Sequence, residues 1–246
     1  MSVEVCDRTG GIPPLAKHPL LAALHFVLTK VEPTCFTKAA TDPRWKAAMT
    51  AEFEALISNK TWTLCTRPSQ QHVIRNRWAY KIKQRVDGSI DLFKAKLVAK
   101  GFEQQNGVDY TETFSPIIKP SIIRIILALA VQFDWPIKQL GVSNAFLHGT
   151  LLEEVYMEQP QGFVDAAQPD SVCKLHKSIY GLKQTPSAWF NCLSTALLDL
   201  GFIASMVDPS LFLFFHGQIT IFMMVYVDDI IVTSNKLSVI LSLIAT

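Results

Sequence analysis

Phe222-Met223-Met224-Val225-Tyr226-Val227-Asp228-Asp229-Ile230-Ile231-Val232 places two adjacent carboxylates in the middle of an otherwise apolar run. Read with a period of two, its β-branched and aromatic flanks suit two buried strands meeting at a tight turn, with Asp228 and Asp229 at the tip. Two like charges side by side in such surroundings are costly unless something positive neutralises them. A hard divalent cation is the simplest partner, since Mg²⁺ favours carboxylate oxygens together with substrate phosphates. A plainer alternative stays open at this point: a hairpin whose Asp-Asp turn faces water, which is ordinary hairpin chemistry.

Composition narrows the field. At 246 residues and 49% apolar, the chain has enough material for one large core or two modest ones. A net charge of +2 does not announce a nucleic-acid partner, so any such partner must be argued from local patches. Cys6, Cys35, Cys65, Cys173 and Cys192 are odd in number, widely spaced and free of any C-x-x-C pair. That pattern argues for a reducing, intracellular setting and against a disulfide framework or a zinc site. The apolar stretch 20–28 is short, interrupted by His25 and without a cleavage pattern, so it is not read as a signal peptide. The stretch 219–232 is too short and too charged to cross a bilayer, and no membrane association is expected. The six histidines show no ligand spacing and read as surface or packing residues.

Residues 1–41, rich in Gly and Pro, read as a poorly structured lead-in. Asp42-Pro43 then opens a helix whose stripe is Trp45, Met49, Phe53 and Leu56, with Glu52 and Glu54 toward the outside. Strands follow over 62–64, 77–82 and 94–100, with Asp87-Gly88 as the turn between the last two. Eight basic residues lie between Arg75 and Lys100 (Arg75, Arg77, Lys81, Lys83, Arg85, Lys94, Lys96, Lys100). They form either a surface that grips phosphates or an ordinary solvated strand face. Ser121 caps an expected helix over 122–133, apolar nearly all round and therefore expected between layers. Strands are expected at 137–142, 155–157 and 172–175, and a helix running from Pro186 to Gly201 with the stripe Trp189, Leu193, Leu197, Leu200. Two strands, 211–215 and 219–225, then lead into the acidic turn.

Several blocks taken in order resemble one family. They include Trp45…Met49…Glu52…Leu56…Asn59…Trp62, Lys94-Ala95-Lys96-Leu97-Val98-Ala99-Lys100-Gly101-Phe102 and Glu112-Thr113-Phe114-Ser115-Pro116. Asn144-Ala145-Phe146-Leu147-His148-Gly149, Tyr180-Gly181-Leu182-Lys183-Gln184 and Tyr226-Val227-Asp228-Asp229 continue the series. The pattern, from about 42 to 235, is similar to the reverse transcriptase of Ty1/copia-type retrotransposon Pol polyproteins, with Tyr226 completing the Tyr-x-Asp-Asp signature. The resemblance implies an α+β, right-hand polymerase with fingers over about 42–134 and a palm with an antiparallel sheet over about 135–246. It implies transfer of dNTPs to a primer on an RNA or DNA template, with Mg²⁺ or Mn²⁺ held by Asp228 and Asp229. It places Lys94, Lys96 and Lys100 toward the triphosphate and Gln184 at the incoming nucleotide or template base. Phe146 takes the place of the bulky residue that excludes a ribose 2′-OH, its alternative being a core position on a short helix.

The chain departs from this pattern where it matters most. The family strand reads Gln-Leu-Asp-Val, and its aspartate is the first metal ligand; here the strand reads Gln139-Leu140-Gly141-Val142. Gly141 brings no side chain, and Asp134, Glu153 and Glu154 are the nearest acids in sequence. Lys96 stands for a usual arginine and loses the bidentate fork. Ser187 stands for another arginine. The chain ends soon after Asp229, so no thumb is expected. Together these imply a degenerate copy that no longer catalyses, either a residual nucleic-acid binder or an interaction domain recruited by the host.

Overall fold

A computed structural model describes residues 31–142 and 144–245. They fall into two compact units, one of residues 31–48 and 80–95, the other of 49–79 and 96–245.

The smaller unit holds α1 (Phe36–Ala39), the start of α2 (Pro43–Ser58) and the turn end of the hairpin β3 (Asn76–Gln84) and β4 (Ile90–Ala99). Asp42 caps α2 as its sequence predicts, accepting the Arg44 backbone N–H at 2.9 Å. The Arg44 guanidinium bonds the same carboxylate and holds it below the usual carboxylate range. Trp45 packs edge-on against Tyr80 and Phe93, with ring centroids 5.3 and 4.9 Å apart. Gly88 takes φ +81° in the Asp87-Gly88 turn. The expected lead-in needs one correction: α1 lies inside it, closed by the Ala40 N–H on the Phe36 carbonyl. Residues 1–30 lie outside the described residues.

The larger unit carries two sheets. One has the order β1 (Trp62–Cys65), β7 (Val172–Lys177), β6 (Thr150–Met157), β2 (Val73–Ile74), with only the β2–β6 pair parallel. The other is antiparallel throughout, in the order β5 (Ile137–Gly141), β11 (Asp229–Ser234), β10 (Ile219–Tyr226), β9 (Leu211–His216), β8 (Ile203–Ala204). Alternation along β10 sorts its side chains between two cores. Ile221, Met223 and Val225 join Leu197 of α4 (Thr185–Asp199) and Ile240 of α5 (Leu237–Ala245). Met224 faces the other way, toward Ile126 of α3 (Pro120–Gln132). The acidic pair is thus delivered by a strand that is anchored on both faces.

Three expectations about helices change. Proline at the first turn and Lys119, not Ser121, begin α3. That helix is not enclosed between layers: only Ile126 and Ala130 are buried, and Val131 is 76% exposed. It packs on the sheet along one side, so apolar residues all round did not mean burial all round. Glu52 is the third correction. It is 6% exposed, because its spacing from Met49 and Leu56 puts it on the inward stripe of α2. Gly201 does end α4 in the left-handed region, at φ +88°.

A close backbone approach joins β4 to the segment before α4. A Cβ on Gly101 would lie 2.0 Å from the Gly181 carbonyl oxygen, and one on Gly181 would lie 2.2 Å from the Ala99 carbonyl oxygen. The Ala99 N–H donates to the Tyr180 carbonyl across the same contact at 2.7 Å. Tyr180 and the end of β4 are therefore held as one piece.

Candidate active site

The turn between β10 and β11 is one residue earlier than its sequence suggests. Tyr226 pairs with Asp229, so Val227 and Asp228 form the two-residue loop and Asp229 begins β11. Val227 sits at φ +57°, a conformation that a β-branched residue adopts only under constraint. Part of that constraint is visible: the Trp189 indole N–H donates to the Val227 carbonyl at 2.8 Å. The Val142 N–H donates to the Asp228 carbonyl at 3.1 Å, tying the loop to the end of β5. Both aspartates are exposed, as is Tyr226. Desolvation is therefore not what makes the pair unusual; its fixed backbone is.

Asp229 stands directly across from Gly141 in the β11–β5 register. Its Oδ1 accepts a hydrogen bond from the Gln139 amide at 3.3 Å. Among the described residues, nothing lies within 4 Å of a Cβ built on Gly141. No group of three or more His, Cys, Asp or Glu side chains suited to a metal exists among the described residues. Two of the acids nearest in sequence are engaged elsewhere: Glu153 accepts from the Thr111 N–H and hydroxyl, and Glu154 from Lys174 at 2.5 Å. The donor set in this chain, two exposed carboxylates on one turn, does not fit a two-metal centre.

The basic residues are less available than their count suggests. Arg75 pairs with Glu103, Lys81 with Glu32 and Arg85 with Asp91. Lys96 is mostly buried, and its ammonium donates to Glu52 Oε2 at 2.6 Å and Asn144 Oδ1 at 2.7 Å. Lys94 is exposed on the part of β4 that belongs to the smaller unit, while Lys100 is half-buried in the larger one. Gln184 is 3% exposed, and its amide is taken up by the Gln104 side chain at 3.0 Å and the Asp109 carbonyl at 2.8 Å. Buried this way, it braces a loop rather than presenting an amide outward.

Phe146 is half-buried on the 3-10 turn Ala145–His148 and meets Tyr180 edge to face at 5.4 Å. The Lys96 ammonium lies 5.2 Å from the centroid of the same Tyr180 ring. Burial raises the Tyr180 hydroxyl pKa, and the charges of Glu52 and Asp228 add to the effect. Tyr180 thus lies within electrostatic reach of both the Lys96 cluster and the Asp-Asp turn. Four participants escaped the sequence reading: Glu52, Asn144, Tyr180 and Trp189. Glu52 gave a signal as an acid at stripe spacing on an amphipathic helix, while Asn144 and Tyr180 stood inside blocks of the family pattern and Trp189 on a helix stripe, none with a role attached.

With this geometry in hand, comparison with known proteins defines the class. A family model described as reverse transcriptase (RNA-dependent DNA polymerase) matches residues 59–244, and the chain belongs to that family. Its relatives are Pol polyproteins of Ty1/copia-type transposons. The chain is 52% identical over 205 residues to the retrovirus-related Pol polyprotein from transposon RE2 of Arabidopsis thaliana, covering 83% of this chain and 14% of that protein. It is 47% identical over 229 residues to the corresponding RE1 polyprotein, also of Arabidopsis thaliana, covering 93% of this chain and 15% of the relative. The TNT 1-94 Pol polyprotein of Nicotiana tabacum is 41% identical over 189 residues, covering 76% and 14%. The chain therefore spans about a seventh of the length of these relatives. Reverse transcriptases generally use divalent metal ions and act with a nucleic-acid template and dNTP substrates. No helix among the described residues is long and apolar enough to cross a membrane.

Proposed function

We propose that this chain is the fingers-and-palm part of a Ty1/copia reverse transcriptase in which nucleotidyl transfer has been lost while the nucleotide pocket persists. In this reading the antiparallel five-stranded sheet is the palm and the β3–β4 hairpin belongs to the fingers. A primer–template of RNA or DNA and a dNTP are the ligands. The observation that carries the reading is Gly141 opposite Asp229. The family's first carboxylate belongs at Gly141, and the described residues offer no other acid to replace it.

Asp228 and Asp229 stand at the hairpin turn. Two carboxylates on one turn give a divalent ion a weak, exposed foothold and cannot hold a pair of ions against a triphosphate. What the chain's own residues still supply is binding. Phe146 and Tyr180 wall the sugar side, and Lys100 remains a cation for phosphate. Primer extension with Mg²⁺ or Mn²⁺, run beside Gly141→Asp, tests the reading: the parent chain gives no extension and the variant gains it. Extension by the parent at the rate of the variant would overturn it.

A further inference from the structure

Glu52, Lys96 and Asn144 form a hydrogen-bonded cluster that does not include the two aspartates of the turn. Glu52 is a buried carboxylate on α2 whose Oε2 accepts from Lys96, while its Oε1 is buried with no hydrogen-bond partner among the described residues. A half-satisfied buried carboxylate costs stability, and hydrophobic packing of α2 alone does not call for it. Lys96 passes the link on to the Asn144 side chain.

Asn144 is strategically placed. It sits in the left-handed region at φ 55°, ψ 31° and begins the 3-10 turn that carries Phe146. Its carbonyl accepts the Leu147 N–H at 2.8 Å, closing that turn. The Phe146 carbonyl is held separately by the Ser178 hydroxyl, and the Leu147 carbonyl by the Asn59 amide at 2.5 Å. Lys96 also lies against the ring of Tyr180, on which Phe146 packs. One ammonium therefore touches both the start of the Phe146 turn and the ring that backs Phe146.

The geometry points to Glu52 as a positioning residue for the sugar side of the nucleotide pocket, acting through Lys96 and Asn144 on the Phe146 turn. A lysine has three donors in a compact head, and two of them here serve Glu52 and Asn144. Lys96 is accordingly a tie within the protein and not a triphosphate ligand. Arginine's wider fork has donors to spare for both duties. The inference rests on the reading of the site as a nucleotide pocket.

The test uses the 246-residue chain and the variants Glu52→Gln, Asn144→Ala and Lys96→Met. It measures the affinities of dUTP and of UTP, which differ only in the 2′-hydroxyl, in Mg²⁺ by titration, and unfolding by urea. The expected parent prefers the deoxynucleotide. Asn144→Ala and Lys96→Met lower that preference about fivefold or more, because the Phe146 turn is released, while triphosphate affinity itself falls less than twofold. Glu52→Gln, which keeps a hydrogen bond but not the charge, gives a smaller loss in the same direction. Stability losses of Glu52→Gln and Asn144→Ala are less than additive in the double variant, as they are for residues on one link. An unchanged dUTP-to-UTP ratio in variants that still unfold cooperatively overturns the positioning role. So does a large loss of affinity for both nucleotides in Lys96→Met, which makes Lys96 a phosphate ligand after all. Additive stability losses remove the tie itself. If neither nucleotide binds the parent or its Gly141→Asp derivative, the polymerase reading falls and takes the sugar role with it, whatever the unfolding data show.

Discussion

Asp229 and Gly141 face each other across adjacent antiparallel strands, and among the described residues the position of a Cβ on Gly141 is open. The first carbon of an aspartate side chain there meets no described neighbour within 4 Å. If the missing ligand is worth about 4–6 kcal/mol of transition-state stabilisation, Gly141→Asp raises the rate of primer extension by roughly 10³–10⁴.

The same substitution changes how the fold responds to metal. A third carboxylate beside Asp228 and Asp229 adds like-charge repulsion of about 0.2–1 kcal/mol when no cation is present. Melting Gly141→Asp in EDTA and then in Mg²⁺ is therefore expected to give a lower and then a restored Tm. The parent chain is expected to melt at nearly the same temperature in both. A parent Tm as sensitive to Mg²⁺ as that of the variant would mean that the two aspartates suffice to hold the ion.

Val227 holds a left-handed backbone that its branched side chain resists. Asparagine tolerates that region far better. Val227→Asn is expected to stabilise the chain by about 1 kcal/mol, read as a higher urea midpoint at unchanged m-value. A loss of stability instead would show that packing of the Val227 side chain outweighs the strain.

Gly101 and Gly181 approach each other too closely for any side chain. The atoms in the way are backbone oxygens, which cannot swing aside as the end of a side chain can. Gly181→Ala also meets φ +93°. Each alanine substitution is expected to cost about 3 kcal/mol or more, near the limit of what a domain of ordinary stability survives. Soluble yield and circular dichroism check this directly.

Cys173 lies inside the four-stranded sheet, and burial pushes its thiol pKa up to about 12. A thiol whose folded pKa is raised binds its proton more tightly in the native state. Its contribution to stability is complete below the ordinary thiol range, near 9, and is lost as pH rises through 9 to 12. Cys173→Ala is expected to flatten the alkaline part of the stability–pH curve. Exposed Cys192 and Cys35 are expected to react with a thiol reagent well before Cys173.

Much of this molecule is readable before it is folded. The alternation through 222–232 gives the hairpin, Asp42-Pro43 gives the start of a helix, and Gly201 and Gly88 give an end and a turn. These signals are local, so local chemistry suffices. The misreadings have non-local causes. The sidedness of α3 depends on which faces of the sheet are already covered, which no window of residues around 120–132 records. The burial of Gln184 depends on Gln104 and Asp109, some 75–80 residues away. The departure at Gly141 was visible at once, because it is an absence measured against a family pattern. Its register opposite Asp229 required the strands to be paired.

Trp189 donates its indole N–H to the Val227 carbonyl from a buried position on α4. The hairpin turn consequently comes with its own fluorophore. With the other four tryptophans replaced by phenylalanine, emission from this indole is expected to change when an ion, nucleotide or substitution breaks its hydrogen bond to the loop, without a label and without turnover, so the site can be followed optically whether or not the chemistry survives.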